Sequence, residues 1–285
     1  MKTGLVTAIS AVVLFSGTMV WSAFQLVPTR VYDYDAEKRN PGQWPDRTSA
    51  NTYFFDSKDP LYVNVHAPVH VELTDDYNGV ELLGDTTLFK YLKVTTYKLN
   101  HENSIEIALK YVSNNELAQT DSTAGEKATQ DFLRREALRH SNVVVRIGTR
   151  HGKPAPSGSR HFSFQDCKSV RTLQSLRAAN LWLSFIETDS AKVQLQADNL
   201  TVAFPEFTSE NRQWIKLEGE SGRVAANNFS AGTFDASDLK VRDFYMHNPH
   251  RADVRISASH LARIRRVEDC KILVEGNPEY KWIEE

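Results

Sequence analysis

The chain has 285 residues, of which 41% are apolar and 25% charged, so it can bury a sizeable core and is not a disordered polymer. A net charge of −2 and a pI near 6.5 exclude a general nucleic-acid binder, which carries a clustered basic excess. The length allows one or two domains.

The first element follows Lys2. Residues 3–29 carry no charge, and their apolar centre, 5–27, is long enough to cross a bilayer as a helix, which takes about 20 residues. A single lysine before the segment and Arg30, Asp33 and Asp35 after it place a short N-terminus in the cytoplasm. The best small-x-small cleavage site, Val20-Trp21-Ser22, contains a tryptophan and is poor. An uncleaved signal-anchor is therefore preferred over a cleaved signal peptide. Both readings export the body of the protein to the periplasm or cell envelope. No cysteine stands directly after the segment, which argues against a bacterial lipid anchor. Residues 30–59, rich in Pro, Asn, Asp, Arg and Tyr, read as a tether with little regular structure.

From residue 61 the pattern becomes β, and a solenoid domain is expected over 60–285. Leu61, Val63, Val65, Ala67, Val69, Val71 and Leu73 alternate with other residues, the period-two signature of a strand. Short β-rich runs follow at 80–83, 92–97 and 104–112. Residues 114–140 contain no Val or Ile and predict a partly helical insertion without a chemical role. The helix is expected over 125–140, with Asp131 as a candidate cap. Strand character resumes in NVVVRIGTR (142–150), followed by the loop KPAPSGSR (153–160).

The C-terminal half repeats. LRAANLWL (176–183), LQADNLTV (195–202), LEGESGRV (217–224), FDASDLKV (234–241) and ISASHLAR (256–263) align on small residues. With Gly276 these are Ala178, Ala197, Gly219, Ala236 and Ala258, spaced 19, 22, 17, 22 and 18 apart, with a mean of 19.6. A period of about 20 predicts one β-solenoid coil per repeat. Leu195 and Ala197 share one strand face, as do Leu200 and Val202, but the step between the pairs is odd. A bend at Asp198-Asn199 keeps all four pointing inward. The small residues are expected where a corner crowds the interior. Asp198-Asn199, Ser237-Asp238 and Ser259-His260 are expected as solvent-facing corners. Leucine-rich repeats lack support because their Leu-x-x-Leu-x-Leu pattern is missing. A sandwich or open sheet gives no reason for one small residue every 20.

VNVHAPVHVEL (63–73), the repeated coils and the closing VRISASHLARIRRVEDCKILVEGNP (254–278) resemble the putative auto-transporter adhesin head GIN domain family of Bacteroidetes-type bacteria. Gly276-Asn277-Pro278 after a short strand is the most characteristic piece. The resemblance covers roughly residues 60–278. It implies a right-handed parallel β-helix exposed outside the inner membrane, and it brings no catalytic residues. The chain departs from the family in replacing most Gly-Ser-Gly-Asp runs by Ala, Asn and charged residues, and in its long 114–140 insertion.

No nucleophile elbow, His-Glu-x-x-His run or phosphate-binding glycine loop is present. His66 and His70 are four apart and are expected on one side of a strand; His247 and His250 flank the turn Asn248-Pro249. Both pairs read as surface histidines, and no metal or cofactor is expected. Asp235, Asp238, Asp243 and Asp253 with Arg242, Arg251 and Arg255 form a candidate charged face. That face reads as solvated in preference to a glycosidic acid–base pair. Arg263, Arg265 and Arg266 form a basic cluster beside Glu268 and Asp269. Cys167 and Cys270 lie about five coils apart, beyond the roughly 7 Å reach of a disulfide, so free thiols are expected. Trp182, Phe244 and Tyr245 are the candidates for a binding strip. The expected function is an extracytoplasmic, non-enzymatic module for adhesion or envelope association, with a glycan or envelope protein as partner. The alternatives are a carbohydrate-active β-helix lyase or glycoside hydrolase, and a structural or signalling module tethered to an anti-sigma or transport system.

Overall fold

The computed structural model describes residues 49–53, 61–76, 78–99, 102–110, 124–149, 158–204, 212–229, 232–247, 249–265 and 269–283. The apolar segment 5–27 lies outside them. No helix among the described residues is long and apolar enough to cross a membrane.

The body is a parallel β-solenoid. One face, face A, stacks β8 (Ser159–Gln165), the C-terminal parts of β10 (Leu176–Ile186), β11 (Ser190–Ala203) and β12 (Gln213–Asn227), then β14 (Leu239–His247), β16 (Leu261–Arg265) and β18 (Glu279–Ile283). Face B stacks β9 (Ser169–Thr172), the N-terminal parts of β11 and β12, β13 (Gly232–Ala236), β15 (Ala252–Ala258) and β17 (Lys271–Gly276). A shorter third face joins B back to A through Leu195, Gly219 and Leu239.

On face A the residues Arg160, Leu181, Leu200, Val224, Phe244, Ala262 and Tyr280 lie in register, 21, 19, 24, 20, 18 and 18 apart. The expected period holds, but its phase shifts. Ala178 stacks on Ala197 and Ala258 on Gly276, whereas Ala197 meets Ser221 and Ala236 meets Ile256. The 24-residue coil moves Gly219 out of the small-residue series. Gly219 is needed for a different reason: φ is +113°, and a Cβ would sit 2.0 Å from the carbonyl oxygen of Leu195 on the adjacent coil. The bend in β11 is as expected. Ala191, Val193, Leu195 and Ala197 are buried, Asp198 and Asn199 are exposed, and Leu200 and Val202 are buried again.

The opposite corner, from A to B, turns through left-handed residues. Asp166, Glu187, Asn228, Arg251 and Asp269 all have φ between 48° and 70°. Asp and Asn tolerate this region better than other side chains do. Inside the coils Phe164, Phe185 and Phe204 stack at centroid separations of 5.6 and 6.0 Å, and Phe204 contacts Phe229 and Phe234.

The other end breaks the simple order. β2 (Leu61–His66) lies between β6 (Glu102–Leu109) and β8, and β3 (His70–Thr74) lies between β7 (Val144–Thr149) and β9. The later β6–β7 coil is thus stacked outside the earlier one. β4 (Asn78–Leu83) runs antiparallel on β7, β5 (Leu92–Leu99) antiparallel on β6, and β1 (Ser49–Tyr53) antiparallel on β4. These strands cap parallel edges that would otherwise template association. β1 falls inside the stretch expected as an irregular tether. The alternating run 61–73 is also two strands rather than one. Pro68 lacks an N–H, and Val69 N–H donates to Ala67 O at 2.8 Å, so the chain turns there while every odd position stays buried.

The insertion forms α1 (Ala124–Arg139), with Asp131 inside it rather than at its cap. Arg135 donates to Asp166 at 2.8 Å, Arg139 also pairs with Asp166, and Lys168 Nζ donates to Leu138 O at 3.2 Å near the helix C-terminus. Cys167 and Cys270 are free, about five rungs or 24 Å apart along the axis. Burial pushes both thiols up, away from the reactive thiolate.

Candidate functional site

Outward side chains at one register of face A form a continuous stripe. Tyr62, His161, Trp182, Thr201, Ala225, Tyr245 and Arg263 are successive partners. Parallel pairing puts each directly above the last, about 4.8 Å on. The Tyr62 and His161 rings stack at 4.4 Å with planes 11° apart; His161 and Trp182 follow at 5.9 Å and 19°. Trp182 ends this stack and is 41% exposed. Three rungs further, Tyr245 is bracketed by Arg223 and Arg263, whose guanidinium carbons lie 5.8 and 5.9 Å from its ring centre. The interval is floored by the small side chains of Thr201 and Ala225. Asn180 and Asn199 flank it, bonded to each other at 3.0 Å.

Two of the three aromatic candidates therefore share one surface. Phe244 does not. It is fully buried, because alternation on β14 turns it inward when Tyr245 points out.

The histidine pairs separate. His66 is exposed, while His70, beyond the Pro68 turn, is 2% exposed and hydrogen-bonded through Nδ1 to Ser169 Oγ at 2.7 Å. Burial, with Lys168 and Arg171 nearby, lowers its pKa to about 3. His247 and His250 are both exposed; Asn248 lies outside the described residues. Among the described residues no group of three His, Cys, Asp or Glu is placed to hold a metal.

The acidic candidates do not share a face. Asp235 and Asp253 lie on face B, where Asp235 stacks beside Arg255. Asp238 sits in the turn that ends face B and bonds Lys216 at 2.6 Å. Asp243 begins face A and is held by His260 at 2.7 Å and Arg242 at 2.9 Å, which keep its carboxyl below the usual range. The corner at Ser237-Asp238 divides the set. Arg242 and Arg251 are corner residues as well. Of the basic cluster, Arg263 belongs to the stripe, Arg265 ends β16, and Arg266 and Glu268 lie outside the described residues.

The capped end carries ionic groups that were not singled out from the sequence. Glu72 is fully buried between Arg146 at 2.8 Å and Arg171 at 2.5 Å. Arg160 points inward toward Thr149 at 3.2 Å and Asp75 at 3.8 Å. A cleft of about 320 Å³ lies beside α1, lined by His66, Asp131, Phe132, Arg135, Asp166 and Glu187 among others. Asp166 is already bound by two arginines there.

No family model and no curated protein matches the chain. Among solved structures it is similar to a protein named "putative adhesin" from Bacteroides fragilis: TM-score 0.53, 14% identity, 84% of this chain and 93% of that one. A "putative adhesin" of Parabacteroides distasonis aligns with TM-score 0.47 at 14% identity, over 83% and 95% of the two chains. A "putative lipid binding protein" of the same species aligns at 0.41 and 15%, over 85% and 93%. At these identities the first likeness speaks to the fold alone and the other two add nothing to it.

Proposed function

We propose that the chain is an extracytoplasmic, non-enzymatic β-solenoid module of the GIN-like kind, with right-handed coils, which binds an extended ligand along face A. The right hand is the one that twisted strands favour. The stripe from Tyr62 to Arg263 carries the reading, because it is an aligned series of aromatic and cationic side chains presented on a rigid sheet. The shared fold with a protein named as an adhesin supports it. A glycan or an envelope protein is the partner, and residues 5–27 tether the module to the inner membrane. The enzyme alternative needs two carboxyls about 5–10 Å apart across a groove. The candidate aspartates are split between two faces and a corner, and those nearest face A are neutralised by basic neighbours.

Two measurements test this. Full-length protein is expected to co-sediment with isolated envelope polysaccharide, and a Trp182→Ala/Tyr245→Ala double variant to stay in the supernatant. Equal sedimentation of the two would remove face A from the function. Membrane retention scored with and without residues 1–29 tests the tether, and unchanged retention of the truncated chain would overturn it.

A further inference from the structure

Face A is not uniform along its length, and its asymmetry has a chemical meaning. One face of the Trp182 indole is covered by His161; the other looks along the axis over Thr201, which is too small to cover it. Two rungs on, about 10 Å along the axis, Arg223 projects from the same face. Its guanidinium is backed by Tyr245. Asp243 is the next residue in register, but its oxygens are taken by Arg242 and His260. Among the described residues no carboxylate neutralises Arg223. An open aromatic face and an uncompensated, ring-backed cation thus border a floor of Thr201 and Ala225.

We infer that this interval is a subsite for an acidic glycan, an inference that rests on the reading of face A as the binding surface. The C–H face of a pyranose is apolar and slightly positive, so it lies on the electron-rich face of Trp182. A carboxylate on that sugar or the next accepts the paired N–H groups of Arg223 in the planar geometry that guanidinium favours. Stacking against Tyr245 limits the rotamers that Arg223 must give up on binding. The exposed amides of Asn180 and Asn199 are placed to meet hydroxyls along the edge. A neutral glycan would use Trp182 alone and leave Arg223 without a role.

The test uses the full chain, with polygalacturonate and alginate as acidic probes and methyl-esterified polygalacturonate as the neutral comparator. Wild type is expected to bind the free acids at least ten-fold more tightly than the ester, with the difference shrinking as salt is raised. Trp182→Ala is expected to lose at least ten-fold on acid and ester alike. Arg223→Gln is expected to lose the preference for acid and keep the ester affinity. Both side chains point outward, so neither variant should shift the melting temperature. Wild type that ignores polyuronates, or an Arg223→Gln variant that binds them unchanged, overturns the acidic subsite. If polyuronate binding is absent but envelope-polysaccharide binding still depends on Trp182, the subsite fails and face A stands. If Trp182→Ala changes neither, both fail.

Discussion

The two ends of the solenoid are built on different terms. Between β8 and β18 each strand pairs with strands one coil away, about 20 residues in sequence, and the interior is filled by stacked Phe, Leu, Ile and Val. At the capped end β2 and β3 meet strands that arrive far later, and Glu72 binds Arg146 and Arg171, which are 74 and 99 residues distant. Longer closures cost more chain entropy. Buried ions also cost desolvation that apolar ladders avoid. The regular coils therefore hold by repetition, and the cap holds by a few specific partnerships. The aromatic stripe spans both: Tyr62 belongs to the capped coil, and Trp182 and Tyr245 belong to the regular ones.

The largest way to break the regular end is to place a charge inside it. Ala236 is fully buried against Ile256 and its coil neighbours. Ala236→Arg is expected to cost more than about 4 kcal/mol and to abolish a cooperative melt followed by circular dichroism. A near-normal melt would contradict the inward position. At the cap, Glu72→Ala leaves two arginines without their shared anion, and should cost about 3 kcal/mol. The loss should be local. Hydrogen exchange should accelerate first in β3, β7 and β9, while β12 and β14 keep wild-type protection. Uniform acceleration would mean that the two ends unfold as one unit. Burial alone would raise the Glu72 pKa, but hydrogen bonds and charge from Arg171 and Arg146 outweigh it and hold the carboxyl low. Its contribution is therefore present above the unfolded value near 4.3 and is lost as pH falls through the lower folded one.

The same division governs what was legible in the sequence. The period near 20, the bend at Asp198-Asn199, the helix in the insertion and the outward Trp182 and Tyr245 follow from local rules, because a coil is a local object. The phase of the repeat was not local. The 24-residue coil slid Gly219 away from Ala197, and only strand pairing reveals it. The cap was invisible for a stronger reason. Nothing in 61–73 says that the coil formed by β6 and β7 will stack outside it. Tyr62 and His161 are distant in sequence, so their place beneath Trp182 appears only once β2 is known to pair with β8. Glu72 reads as an ordinary outward strand residue until Arg146 and Arg171 arrive beside it.

The smallest expected effect separates the ends by titration. His70 belongs to the capped coil, and burial together with Lys168 and Arg171 lowers its pKa from 6.5 to about 3. Between those values the unfolded chain binds a proton that the folded chain refuses. Stability must then rise with pH across the window, and fall as pH is lowered from 6.5 toward 3. The Glu72 contribution begins to be lost only below about 4.3, so of these two groups His70 alone acts between 6.5 and 4.5. Gln at position 70 keeps an amide for Ser169 and has no proton to gain. His70→Gln should therefore flatten the decline in melting temperature over that interval and leave the pH 8 value within a few degrees of wild type. Parallel curves for the two proteins would show that His70 takes up its proton inside the folded cap. The ionic end would then be loose enough to admit charge where the apolar coils are not.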